Sequence, residues 1–315
     1  MNYQQSGVSI DTGNQAVERI KPIIKKTLST QVLGGLGGFA GGFELPQGYQ
    51  QPVLVACTDG VGTKLKWGIE ENELEGLGVD LVAMCVNDLI CCGAKPLFFL
   101  DYIAVHQLDP KQIERLVAGM ASACEEVGCS IIGGEMAEMS DMYQKGDFDL
   151  AGFSVGVVEK NDMITGEDIQ EGDFIYALPS SGLHSNGFSL VRAVLTPEKL
   201  KAIGKTKRDF LTPTRLYVNE VLDIIGKYQI KGLAHITGGG LDENIQRVLP
   251  KGLVPQIKRD KMSVPEVFSL IQSLGEISDK EMQRVFNMGI GMVLISSDEL
   301  DKTSEWIQIG KVTQG

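Results

Sequence analysis

The sequence predicts an α/β-class protein of two domains, and three observations predict it. The chain has 315 residues, about twice a common domain length of ~150. Its second half alternates short apolar runs (174–178, 230–236, 290–296) with helical patterns (186–195, 214–226, 241–248, 264–274). Between the halves lies a polar stretch, residues 159–173, which sets the boundary between a domain 1–165 and a domain 166–315.

In chain order, Val17, Ile20, Ile24 and Leu28 recur at helical spacing behind Asp11 and Thr12, either of which can cap, with Pro22 inside the pattern and Lys25 and Lys26 at its end. Residues 34–42 then hold six glycines in nine, too many for a helix or a strand interior, and read as a mobile loop. Residues 53–58 are a short apolar strand ending in the turn Asp59-Gly-Val-Gly-Thr-Lys64. Residues 78–92 read as a buried helix, 96–106 as a strand, and Pro110 to Val127 as a helix with Ile113, Leu116, Met120 and Val127 on one face. Residues 129–132 form a strand running into Gly133-Gly134-Glu135, and 150–158 another.

Composition excludes several functions. The net charge of −12 disfavours nucleic acid, whose phosphates need a basic surface. An anionic small ligand then depends on local donors: loop amides, a few lysines or a divalent cation. No apolar run is long enough and free enough of charge to span a membrane. The six cysteines include no C-x-x-C pair and only three histidines accompany them, so a zinc site is not expected. The N-terminus has no signal-peptide pattern, and a cytoplasmic protein with reduced thiols is expected.

Three familiar motifs fail. Gly204-Lys-Thr206 lacks the upstream glycine of a P-loop, where Lys199 stands. Gly35-x-Gly37-x-x-Ala40 follows a helix and not the strand that a dinucleotide fingerprint needs. Gly152-x-Ser154-x-Gly156 continues as a strand where a nucleophile elbow must turn.

Five constellations remain. In the first, Gly60 and Gly62 let amides approach an anion, Lys64 adds charge and Asp59 suits a hard cation; a plain turn is the alternative. In the second, Asn87 and Asp88 are polar within an apolar segment, where a carboxylate needs a partner or a metal; a helix-end cap is the alternative. The third is Gly133-Gly134-Glu135 with Glu138, an acidic group at a strand end, with a strand-ending turn as the alternative; Asp101 is an acid within a strand, with a satisfied structural carboxylate as the alternative. The fourth runs from Ser180 to Gly187, where His184 precedes a helix start that Ser185 or Asn186 caps or that binds an anion. The fifth is His235-Ile-Thr237-Gly238-Gly239-Gly240 with Asn244 behind it, and two such strand-to-helix glycine turns point to a phosphorylated ligand.

Read together, these segments resemble the phosphoribosylformylglycinamidine cyclo-ligase family, the aminoimidazole ribonucleotide synthetases. The resemblance rests on Gly34-Gly-Leu-Gly-Gly-Phe39, Thr58-Asp-Gly-Val-Gly-Thr-Lys-Leu65, Val79 to Leu89, Pro96-Leu-Phe-Phe-Leu-Asp-Tyr102, Gly133-Gly-Glu135, His184-Ser-Asn-Gly187, His235 to Gly240 and Phe286 to Met292. The chain departs from the family at Met136, Ser140, Asp141, Leu241 and Asp242. The resemblance implies an N-terminal α+β domain contributing strands to a dimeric barrel, a C-terminal α/β domain, and a homodimer with ATP near the interface. It implies ATP-dependent ring closure in purine synthesis through phosphorylation of a formyl oxygen. Mg²⁺ on the ATP phosphates is then expected at Asp59 and Asp88. The glycine loop (Gly35, Gly37, Gly38), with Lys26 upstream, is expected to close over ATP. Gly60, Gly62, Thr63, Lys64, Asn87 and Asp101 are expected to contact ATP. Lys26, Asp88, Glu135 and His184 are expected in catalysis, and Ser185, Asn186, Thr237, Gly238, Gly239 and Asn244 at the substrate. The competing readings are a superfamily relative with another acceptor, such as selenophosphate synthetase or thiamine-phosphate kinase, and a non-catalytic nucleotide-binding subunit.

Overall fold

A computed structural model describes residues 9–35, 37–301 and 305–315. It separates into two compact units, one comprising the chain up to Leu89 together with Lys95–Lys160, the other Ile90–Ala94 and Asn161–Gly315.

The first unit opens with α1 (Ile10–Ile24), followed by a 3-10 turn at Lys25–Thr27. Ser9 is the cap, accepting from the Thr12 amide, so the expected capping by Asp11 or Thr12 is corrected. Strands β1 (Val32–Leu33) and β2 (Gly42–Phe43) form a two-stranded ladder closing the glycine loop. Then come β3 (Pro52–Gly60), α2 (Lys64–Glu70), α3 (Leu74–Ile90), β4 (Lys95–Val105), α4 (Pro110–Val127), β5 (Ser130–Glu138) and β6 (Phe148–Glu159).

The four long strands make a sheet in the order β3-β6-β4-β5, antiparallel except for the β4–β5 pair. That pair is parallel because α4 crosses between its strands. Asp109 caps α4, Pro110 occupies its first turn and Gly128 ends it at φ 67°. Helices α3 and α4 meet closely: a Cβ on Gly119 would lie 1.9 Å from the Glu75 carbonyl oxygen, so only glycine fits.

The sheet has one covered and one open face. Cys57, Ser154 and Phe99 lie in one row of the covered face, and Asp59, Gly152, Asp101 and Gly134 in the next. Leu54 (56% exposed) and Phe153 (47%) lie on the open face. Two strand ends run further than the sequence pattern suggested. Asp59 and Gly60 still pair with Gly152 and Ala151, and Gly133–Glu135 pair with Leu100–Tyr102, so neither segment is a turn.

The second unit contains β7 (Phe174–Pro179), α5 (Phe188–Val194), α6 (Pro197–Ala202), α7 (Val218–Ile225), β8 (Ile230–His235), α8 (Gly240–Gln246), β9 (Leu253–Ile257), α9 (Glu266–Gly275), α10 (Asp279–Val285), β10 (Ile290–Ser296) and β11 (Ile307–Gln314). Its sheet, β8-β10-β7-β11-β9, is antiparallel at every pairing. The α/β expectation for this domain is corrected to antiparallel α+β. Every residue of β10 is buried, so the strand reads as a continuous apolar run, the pattern usual for parallel strands. Ile175, Ala177, Val293 and Ile295 pack with Leu241 and Ile245 of α8 in one core.

Candidate nucleotide site and substrate loops

Within the first unit a cavity of about 610 Å³ lies between α1, the glycine loop and the β5 side of the sheet. Val17, Ile20, Lys21 and Ile24 supply one wall, at the i, i+3, i+4, i+7 spacing that puts them on one helix face. Gly35, Gly37 and Gly38 line it from the loop, and Gly37 at φ 104° adopts a backbone that a side chain would strain. Asp101, Gly133, Gly134 and Glu135 line it from the sheet.

The loop's stem is pinned to the sheet. Thr27 Oγ1 donates to the Ile24 carbonyl (2.8 Å) and accepts from the Ile131 amide (3.0 Å), while Ser130 Oγ donates to the Thr27 carbonyl (2.9 Å). The last two of these bonds hold the start of the loop to β5 beside the cavity.

The charged groups differ from expectation in one respect. Lys26 is exposed and absent from the lining; the lysine of the cavity wall is Lys21, which pairs with Glu18. Its signal was present in the sequence, since Lys21 belongs to the helical stripe of Val17, Ile20 and Ile24. Glu135 is exposed, and its Oε1 accepts from the Met136 amide at 2.9 Å. Burial pushes the Asp101 carboxyl up to about 7, against a hydrogen bond from its own amide.

In the same row of the sheet as Asp101, Asp59 lies two strands away, about 10 Å at the usual strand spacing. Its Oδ1 accepts from the Gly60 amide at 2.7 Å. Asp88 is exposed on α3, whereas Asn87 is fully buried; the expected buried carboxylate is thus corrected, because one step along a helix turns the side chain by about 100°. Both carboxylates act electrostatically on the Cys57 thiol, which hydrogen bonding with Cys85 holds below the ordinary thiol range against burial and against the two acids. Asp59 and Asp88 therefore share one neighbourhood. Among the described residues no three His, Cys, Asp or Glu side chains gather as a metal cage. Two hard oxygen donors without a cage fit Mg²⁺, which keeps waters and phosphate oxygens as its other ligands.

Gly62 is exposed at φ 70°, and Thr63 precedes α2 without capping it through its side chain. Lys64 is corrected outright. It is fully buried and pairs with the equally buried Asp80 at 2.7 Å, so its ammonium is not presented to an anion. All six cysteines are free.

In the second unit the two predicted loops do come together. Asn186 Oδ1 accepts from the Gly238 amide at 3.2 Å, and Ser185 Oγ lies 3.0 Å from Thr214 Oγ1. Gly238 is exposed and Gly239 stands at φ 99° before α8. Gly187, not Ser185 or Asn186, occupies the cap position of α5. Two residues take a supporting place. Asn244 is buried and donates to the carbonyls of Thr237, Gly238 and Gly240, the last at 2.7 Å, so it shapes the glycine turn. His184 is fully buried at φ 58°, and its Nε2 accepts from the Ser181 amide at 3.2 Å. Its ring packs near Tyr217 and His235, at centroid distances of 6.1 and 6.5 Å. A ring so enclosed does not suit the direct catalytic contact with substrate expected of His184.

Comparison with known proteins covers both units. Residues 47–158 match the family described as AIR synthase related protein, N-terminal domain, and residues 170–315 its C-terminal domain. A phosphoribosylformylglycinamidine cyclo-ligase of Desulfitobacterium hafniense is 52% identical over 304 residues, 95% of this chain and 90% of that one. One from Oceanobacillus iheyensis is 47% identical over 327 residues, 99% and 96% of the two chains. Among solved structures, hydrogenase maturation protein HypE in complex with ATP aligns at TM-score 0.69 and 18% identity, covering 95% and 86% of the two chains. A ThiL protein complexed with AMPPCP and TMP aligns at TM-score 0.59 and 19% identity, covering 100% and 93%. These two likenesses show a shared fold.

Proposed function

The chain belongs to the AIR synthase related family, with phosphoribosylformylglycinamidine cyclo-ligases as its relatives along nearly its whole length, and from that membership we propose how its own residues serve the reaction. The enzyme closes the ring of formylglycinamidine ribonucleotide at the expense of ATP. The formyl oxygen attacks the γ-phosphorus and ADP leaves. The neighbouring amidine-side nitrogen attacks the activated carbon, phosphate departs with the former formyl oxygen, a proton is lost, and aminoimidazole ribonucleotide results. Such chemistry needs positioning and charge neutralisation more than a covalent residue.

The observation that carries the site assignment is the convergence of the glycine loop, Lys21, Asp101 and Glu135 on one cavity. ATP occupies this cavity in our reading, with its phosphates directed toward the end of β3, where the Gly60 and Gly62 backbone offers room for an anion. Asp59 and Asp88 would hold Mg²⁺, which supplies charge neutralisation on the transferring phosphoryl group. Lys21 replaces Lys26 as the lysine of the site. Closure of the loop over its pinned stem excludes water from the activated intermediate. In the second unit, Ser185, Asn186, Thr237, Gly238 and Gly239 receive the ribose phosphate through loop donors, while His184 and Asn244 act by holding those loops in shape.

The open sheet face, with Leu54 and Phe153 exposed, supports a homodimer formed through that face. Six free thiols, and no described helix long and apolar enough to cross a membrane, accord with a cytoplasmic place. Calorimetric titration tests the ATP site. Lys21→Met weakens ATP binding about tenfold or more, whereas Lys26→Met leaves it within about twofold. Equal effects of the two substitutions would contradict the assignment.

A further inference from the structure

Asp101 is an acid set inside a strand. It stands on β4 between two glycines of neighbouring strands, Gly134 of β5 and Gly152 of β6. A Cβ on Gly134 would lie 2.4 Å from Asp101 Oδ1, so glycine at that position leaves room for the carboxyl group. Its own backbone amide is the donor that its carboxyl group finds among the described residues. Of the other charged lining groups, Lys21 also pairs with Glu18 and Glu135 accepts from the Met136 amide. The cavity that Asp101 lines has apolar walls, among them Val17, Ile20, Ile24, Phe98, Leu100 and Phe153.

The apolar walls suit a flat heteroaromatic ring, and the acid suits a ring edge that carries an N–H donor. We infer that Asp101 reads the amino edge of the adenine base, accepting a hydrogen bond from the 6-amino group and, as the neutral acid, donating to N1. Burial, which favours the neutral form at this position, accords with that pairing. Ribose hydroxyls are the competing donors, and they favour an ionised carboxylate in a polar setting. The inference rests on the reading of this cavity as the ATP site.

The test is a set of calorimetric affinities for ATP, purine riboside triphosphate, which lacks the 6-amino group, and 2′-deoxy-ATP. Wild type, Asp101→Asn, Asp101→Leu and the cavity-filling Ile20→Trp are compared, each first shown to be folded. Wild type binds ATP about tenfold or more tightly than the analogue without the amino group. Asp101→Leu binds the two alike, and Asp101→Asn, which keeps a donor and an acceptor, restores most of the preference. The cost of the 2′-deoxy change is the same in all of them. If Ile20→Trp leaves ATP affinity unchanged, the cavity is not the ATP site and both readings fall. If Ile20→Trp blocks ATP while Asp101→Leu keeps the full preference for the amino group, the cavity reading stands and this inference falls. A 2′-deoxy cost that vanishes in Asp101→Leu would assign Asp101 to the ribose and overturn it as well.

Discussion

Replacing Lys64 with methionine separates a structural lysine from a ligand-binding one. Lys64 and Asp80 are both fully buried, with Lys64 Nζ 2.7 Å from one Asp80 oxygen and 2.9 Å from the other. Lys64→Met keeps the volume of the stem and removes the charge, leaving a buried carboxylate without its cation. Breaking a buried pair in this way costs about 3–5 kcal/mol, whereas replacing both partners by apolar residues is often close to neutral. Against a total stability of about 5–15 kcal/mol the single change is large. Urea unfolding followed by Trp67 fluorescence reports on this unit, because Trp67 is buried on the same short helix; Trp306→Phe removes the one other tryptophan. With a slope of about 2–3 kcal/mol/M, the midpoint falls by about 1–2 M urea. Adding Asp80→Leu to Lys64→Met recovers most of that loss. At low temperature, where the single variant is folded, its ATP affinity stays within about twofold of wild type. An unchanged midpoint with a lost affinity for ATP would refute the reasoning.

Three further outcomes follow from the same geometry. Asp101 is ionised more easily in the unfolded chain, at its ordinary 3.8, than in the folded one, where burial pushes it up to about 7. Its contribution to stability is therefore greatest below pH ~4 and is lost as pH rises to ~7, so Asp101→Asn gains about 2–3 kcal/mol on wild type between pH 5 and 8; a pH-independent difference in urea unfolding would contradict this. Asp88→Asn, on an exposed position, lowers turnover about 100-fold or more at saturating Mg²⁺ with no shift in unfolding midpoint, and near-normal turnover would remove Asp88 from the metal assignment. Phe153→Glu on the open sheet face converts a dimer into a 34.1 kDa monomer in sedimentation, and an unchanged mass would place any dimer contact elsewhere.

How far the sequence foretold this arrangement depended on whether the deciding interaction was local. Helix α4 was legible to the residue because Asp109 and Pro110 start it, Gly128 stops it and its apolar face is regular. The glycine loop and the two glycine turns of the second unit stood out as candidate sites because glycine clusters have few other uses, but the contact of Asn186 with Gly238 is legible in neither turn alone. What was missed turns on partners distant in sequence or on helix phase. Nothing near Lys64 reveals that its side chain runs inward to Asp80, sixteen residues on. Asn87 and Asp88 are adjacent, and only the packing of α3 decides which of them is buried. Choosing Lys26 over Lys21 overlooked that Lys21 shares the helix face of Val17, Ile20 and Ile24. Strand direction in the second unit was hidden because β10 is covered on both faces and shows no alternation.

The most direct test of the central account follows ADP and aminoimidazole ribonucleotide together, with purified protein, ATP, Mg²⁺ and formylglycinamidine ribonucleotide. ADP forms only when the substrate is present, and one ADP appears for each ring closed. ADP released at the same rate without the substrate, or a stable phosphorylated product in place of the aminoimidazole, would contradict it.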